Sequence, residues 1–150
     1  MMEVWKPSVT VAALMQREGR FCLVEEEVDG RLVYNQPAGH WERGETLADA
    51  CSREALEETA HPFRPTHLLG VYRWHLASQD VTFLRFAFLG EVSDAEPGRA
   101  LDQEIRRVLW LTPGEIRALA PRHRSPLVMT CVDDALAGRR YPLELLRHLA

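Results

Sequence analysis

The sequence predicts an α+β domain: a mixed sheet with helices packed against it. Three observations carry this. Short β-prone runs separated by turn residues occupy positions 9 to 34. One long helical segment then places apolar and acidic residues on a single stripe. Two further strand-length runs precede a segment with a helix-start signature. At 150 residues the chain can bury a sizeable core as one domain, residues 1–150.

Val9 to Met15 is apolar and β-prone and reads as the first strand, with a turn at Glu18-Gly19. Phe21 to Val28 is a second strand, and Asp29-Gly30 marks a tight hairpin into Arg31 to Tyr34. Asn35-Gln36-Pro37-Ala38-Gly39 reads as a loop. Glu45 to Ala60 is the long helix, stopped by Pro62 and Pro65. Leu68 to Leu76 and Val81 to Val92 are strands joined by a polar turn at Ser78-Gln79-Asp80. Ile105 to Leu111 is another strand. Thr112-Pro113-Gly114-Glu115 opens a short helix, with Thr112 as N-cap, Pro113 in the first turn and Glu115 positioned for a capping box. Ser125-Pro126 opens a further helix toward Ala137, and Tyr141 to Leu149 reads as a short amphipathic C-terminal piece.

The long helix carries the chemistry. Glu54, Glu57 and Glu58 fall at i, i+3 and i+4 and share a face. Leu47, Cys51, Glu54 and Glu58 also lie near one azimuth, so the stripe begins apolar and ends anionic. Carboxylates turned toward the protein repel one another and lose hydration. A divalent cation resolves that conflict; the competing reading is a solvated acidic helix end.

Composition narrows the alternatives. The net charge of -4 argues against a nucleic-acid partner. Cys22, Cys51 and Cys131 are odd in number and lack metal-ligand spacing, which fits buried free thiols rather than zinc or a disulfide framework. No signal peptide and no membrane-spanning run is visible, so a cytoplasmic location with no membrane partner is the expectation.

Gly39-x5-Glu45-x7-Arg53-Glu54-Ala55-x-Glu57-Glu58-x-Ala60 resembles the Nudix box, a signature spanning 23 residues. Asn35 to His40, Phe83 to Phe86, Arg124 to Val128 and Arg140 to Glu144 resemble, in order, the Nudix subgroup typified by the phosphatase NudJ. The resemblance implies an α/β/α layered fold and hydrolysis of phosphoanhydride bonds with Mg2+, for which Mn2+ can substitute. It implies that Glu54, Glu57 and Glu58 bind metal, that the Gly39 carbonyl can join them, and that Glu45 and Arg53 form an ion pair orienting the helix. It favours nucleoside tri- and diphosphates, or a thiamine-pathway pyrimidine diphosphate, as small-molecule substrates with phosphate released. The alternatives are a Nudix pyrophosphatase acting on damaged nucleotides or nucleotide sugars, and a non-catalytic nucleotide sensor. A monomer or a homodimer is compatible with all three.

Outside the box, Glu104 is the leading candidate for an extra ligand or general base, with Asp102 competing. Arg85, Gln36 and Arg124 are candidate substrate contacts, weighed against structural roles. Trp5, Tyr34, Trp41 and Trp74 are candidate stacking residues, weighed against core packing. The box departs from its family pattern at Ala60 and His61, where Gly and an aliphatic residue are usual. An Ala in the helix-ending position costs on the order of 1 kcal/mol, unless the helix ends differently.

Overall fold

A computed structural model describes residues 1–150. Strand β1 (Ser8–Leu14) lies inside a five-stranded sheet, between β7 (Val81–Val92), to which it is parallel, and β5 (Ala38–His40), to which it is antiparallel. The order of that sheet is β5-β1-β7-β6-β9, with β6 spanning Phe63–Leu76 and β9 spanning Tyr141–Pro142. A second sheet is built around β3 (Arg20–Val28), which pairs with β2 (Gln16–Arg17), β4 (Arg31–Asn35) and β8 (Ile105–Leu111). Helix α1 (Leu47–Thr59) packs on one side, and α2 (Pro113–Ala118) and α3 (Leu127–Leu136) pack on the other. This is the layered α/β/α arrangement.

Two apolar clusters follow from strand alternation. Val11, Ala13 and Phe88 face Ala50, Cys51 and Ala55 of α1. Ala12, Leu14 and Ala87 face Ile116 of α2 and Val128, Cys131 and Val132 of α3. All three cysteines are free and buried. No helix is long and apolar enough to cross a membrane.

Local chemistry sets the element ends. Asp29 and Gly30 both take positive φ, 50° and 76°, as a hairpin turn matching the twist of β3 and β4 requires. Thr112 accepts a hydrogen bond from the Glu115 N–H at 3.2 Å, while the Glu115 carboxylate accepts from the Thr112 N–H at 2.9 Å. Both halves of the expected capping box are therefore formed.

The structure changes four details. Ala38 to His40, read as loop, is an edge strand on β1. Strand β6 begins at Phe63, before Pro65, because the register with β7 shifts between Pro65 and His67 and absorbs the missing N–H. The C-terminal piece, read only as amphipathic, takes the form of a two-residue strand and a single 3-10 turn (Leu143–Leu145). The α1 helix ends as its family pattern requires, with Ala60 itself left-handed at φ 63° and ψ 2°. Its N–H still closes onto the Leu56 carbonyl at 3.0 Å, so the backbone motif is kept at the expense of a strained alanine.

Candidate active site

The N-terminal half of the site is held by Arg53. Its Nε and Nη2 donate to the two carboxylate oxygens of Glu45 at 3.0 and 2.8 Å, a bidentate pair. Nη2 also reaches the His40 carbonyl at 3.0 Å, and Nη1 donates to Glu54 at 2.8 Å and Glu57 at 3.3 Å. Glu45 in turn accepts from the Glu42 N–H at 2.8 Å, and its carbonyl accepts from the Trp41 indole at 2.8 Å. One guanidinium thus ties the 40–45 loop to the helix and aims two of its acids. The same contacts hold the Glu45 carboxyl below its usual range.

Glu54 and Glu58 lie on the buried stripe of α1, whereas Glu57 is half-exposed. Desolvation pushes the Glu54 carboxyl up to about 7, against the opposing pull of Arg53. It pushes Glu58 further, to about 9, although the Ala38 N–H donates to it at 2.9 Å; Glu26, Glu54 and Asp102 add like charge. Two acids of one helix are therefore held near or above neutrality by burial.

Gly39 explains how Glu54 is accommodated. A Cβ at this position would overlap the Glu54 carboxyl group. Here the glycine is required by close approach rather than by backbone conformation.

Across the cleft, the loop before β8 supplies two more acids. Asp102 donates its N–H to the Glu57 carbonyl at 3.0 Å, fastening the loop to the C-terminal end of α1. Carboxylate oxygens of Glu54, Glu57 and Asp102 lie within 4.8 Å of one another, as do those of Glu58, Asp102 and Glu104. Asp102 belongs to both groups, which sequence alone left as a competitor of Glu104. An all-oxygen donor set of this density suits a hard divalent cation.

Glu54, Glu58, Asp102 and Glu104 line a cleft of about 570 Å³ whose walls come from both sheets. Arg85 lies deeper in the same cleft, 5% exposed, and donates to Gln36 Oε1 at 2.9 Å and Asn35 Oδ1 at 3.0 Å. Gln36 does not line the cleft. Its amide is used at both ends, since Nε2 donates to the Val128 carbonyl at 2.8 Å. Arg124 lines the cleft but pairs with Glu26 at 2.6 Å. Trp74 stacks on Phe83 with ring centroids 5.6 Å apart, and both line the cleft. Tyr34 is buried with its hydroxyl on Glu25 at 2.8 Å, while Trp5 and Trp41 are exposed and lie outside the cleft.

Glu26 is the residue that sequence reasoning missed. It is buried at the cleft, its carboxyl raised by desolvation and by Glu104 despite the Arg124 partner. Three consecutive acids inside an otherwise apolar strand, Glu25-Glu26-Glu27, were the available signal.

Comparison with known proteins follows the same lines. A NUDIX domain family model matches residues 4–130. The chain is 40% identical over 143 residues to a protein named Phosphatase NudJ from Escherichia coli (strain K12), covering 95% of this chain and 92% of that one. A NUDIX hydrolase structure from Nitrosomonas europaea superimposes with a TM-score of 0.94 at 50% identity, covering 96% of this chain and 98% of that one. A MutT NUDIX hydrolase structure from Burkholderia pseudomallei shares the fold, with a TM-score of 0.74 at 18% identity and coverage of 87% of this chain and 98% of that one. With its box acids gathered on one helix and the family matched over most of its length, the chain belongs to the Nudix family and is a Nudix hydrolase.

Proposed function

We propose that this Nudix hydrolase is a magnesium-dependent phosphatase of nucleoside tri- and diphosphates and related diphosphate metabolites, releasing orthophosphate. One observation carries the reading: Glu54 and Glu58 of α1 meet Asp102 and Glu104 in one cleft of about 570 Å³. The name Phosphatase NudJ borne by relatives at 40% identity supports the choice of phosphatase.

Glu54, Glu57 and Glu58, with the Gly39 carbonyl, would hold Mg2+, or Mn2+ in its place. The donor chemistry fits, because every side-chain ligand is a carboxylate oxygen. When bound, the ion neutralises phosphate charge and makes a coordinated water more acidic. The protein's own contribution is positional. Arg53 and Glu45 fix the helix start and the loop before it. Glu54 and Glu58 must give up the protons that burial favours, which ties metal occupancy to pH. Asp102 or Glu104 takes the proton of the attacking water; both oxygens stand beside Glu58. Arg85 and Arg124, which line the cleft, would contact the substrate, and Gln36 would serve from behind by orienting Arg85.

A phosphate-release assay over a panel of nucleotides and diphosphate esters, with and without Mg2+, tests this. Mg2+-dependent orthophosphate release supports it. Release of pyrophosphate or of a monophosphate from the same compounds moves the enzyme to the pyrophosphatase class. Binding without turnover makes the chain a sensor.

A further inference from the structure

Arg85 is a buried cation without a carboxylate partner. Its two terminal nitrogens are held by neutral amide oxygens of Asn35 and Gln36, Nη1 also approaches the Cys131 sulfur at 3.8 Å, and Nε has no partner at all. The buried acids of β3, by contrast, have cationic partners: Glu25 pairs with Arg107 at 2.8 Å and Glu26 with Arg124 at 2.6 Å. A guanidinium left with neutral partners and a spare donor has unmet demand for acceptor oxygens. Its position is fixed in advance, since Gln36 is anchored to α3 through the Val128 carbonyl.

The surroundings indicate what would meet that demand. Phe83 precedes Arg85 by two residues on β7 and so shares its face, and Trp74 is the register partner of Phe83 on β6. The two rings stack at an interplanar angle of 19° beside the guanidinium in the cleft. Thr10 separates Arg85 from His40 in the sheet register, so the Arg85 backbone stands two strand spacings, about 10 Å, from the strand that carries Gly39. The other cleft cations do not build a second phosphate site: Arg124 is paired with Glu26, and Arg31 is exposed.

We propose that Arg85, clamped by Asn35 and Gln36 beside the Trp74–Phe83 platform, determines specificity by donating to the oxo edge of a six-membered heteroaromatic ring on the substrate. The ring lies against the aromatic pair, and its carbonyl oxygen completes the guanidinium's hydrogen bonding. An exocyclic amine in place of that oxygen presents a donor to a donor and is rejected. This rests on the nucleotide-hydrolase reading, and extends it from reaction class to base preference.

The test uses pairs that differ at that one position, UTP against CTP and ITP against ATP, with inorganic tripolyphosphate as a substrate that has no ring. Wild-type kcat/KM is expected to favour the oxo member of each pair by about tenfold or more. Arg85→Lys, which keeps the charge but loses the fork, and Trp74→Leu, at a half-buried position, should each bring the ratio toward one. Their losses should be larger on UTP than on tripolyphosphate. Binding of UMP and CMP by calorimetry without added metal should show the same preference and the same loss. A wild-type ratio near one, a ratio preserved in both variants, or an equal loss on tripolyphosphate overturns the proposal and, in the last case, makes Arg85 a phosphate contact. Absence of Mg2+-dependent turnover on every compound instead defeats the nucleotide-hydrolase reading, and the UMP and CMP binding arm still decides the role of Arg85.

Discussion

Glu58→Gln should make the metal-free protein more stable while removing its activity. The Glu58 carboxyl is 4% exposed, and burial raises it from 4.5 to about 9. The sign follows from linkage: a carboxyl raised in the folded state favours folding fully below about 4.5, and that contribution drains away as pH climbs toward 9. At pH 7 the unfolded chain releases this proton and the folded chain keeps it, over a gap of about two and a half pH units worth about 3 kcal/mol. Gln carries no such penalty, and its carbonyl oxygen can still accept from the Ala38 N–H that now meets Glu58 Oε1 at 2.9 Å. Thermal or urea denaturation in EDTA should therefore show the variant ahead by about 3 kcal/mol at pH 7, on the order of 10 °C, with the gap closing by pH 4.5. Added Mg2+ should stabilise wild type and narrow or reverse the order, because only wild type offers the charged ligand. Turnover should fall sharply in the variant. A variant less stable than wild type in EDTA at pH 7, or a gap independent of pH, would refute the reasoning.

Gly39→Ala should abolish most activity without touching a carboxylate, since its Cβ displaces the Glu54 carboxyl group; unchanged Mg2+ affinity by calorimetry would count against the cradle. Ala60→Gly should raise stability by up to about 1 kcal/mol, as relief of the left-handed strain outweighs the loss of a buried methyl group; a lower denaturation midpoint would show the methyl matters more. Asp102→Asn and Glu104→Gln separate ligand from base: loss of Mg2+ affinity marks a ligand, whereas a fall in kcat with metal affinity intact marks the base, and wild-type kinetics in both would remove this loop from the chemistry.

The sequence by itself determined the elements whose signals are local. The Asp29-Gly30 turn, the Thr112 capping box and the acidic stripe of α1 depend on residues a few positions apart, and each takes the form its spacing dictates. The box spacing identified the family for the same reason, because Gly39, Glu45, Arg53 and the three helical glutamates lie on one helix and on the short strand and loop just before it. Tertiary structure decided what rests on pairing between distant segments. Ala38 to His40 is a strand only because β1 offers it an edge. Asp102 joins the acids only because its N–H is bonded to the far end of α1. Glu26 reaches the cleft only because β3 places it opposite Arg124, 98 positions away in sequence. Gln36 was expected at the substrate and instead spends both ends of its amide inside the protein, while Arg85 is left buried with spare donors. Which polar groups a fold satisfies internally, and which it leaves for a ligand, is fixed by contacts across the sheet, and no spacing along the chain records them.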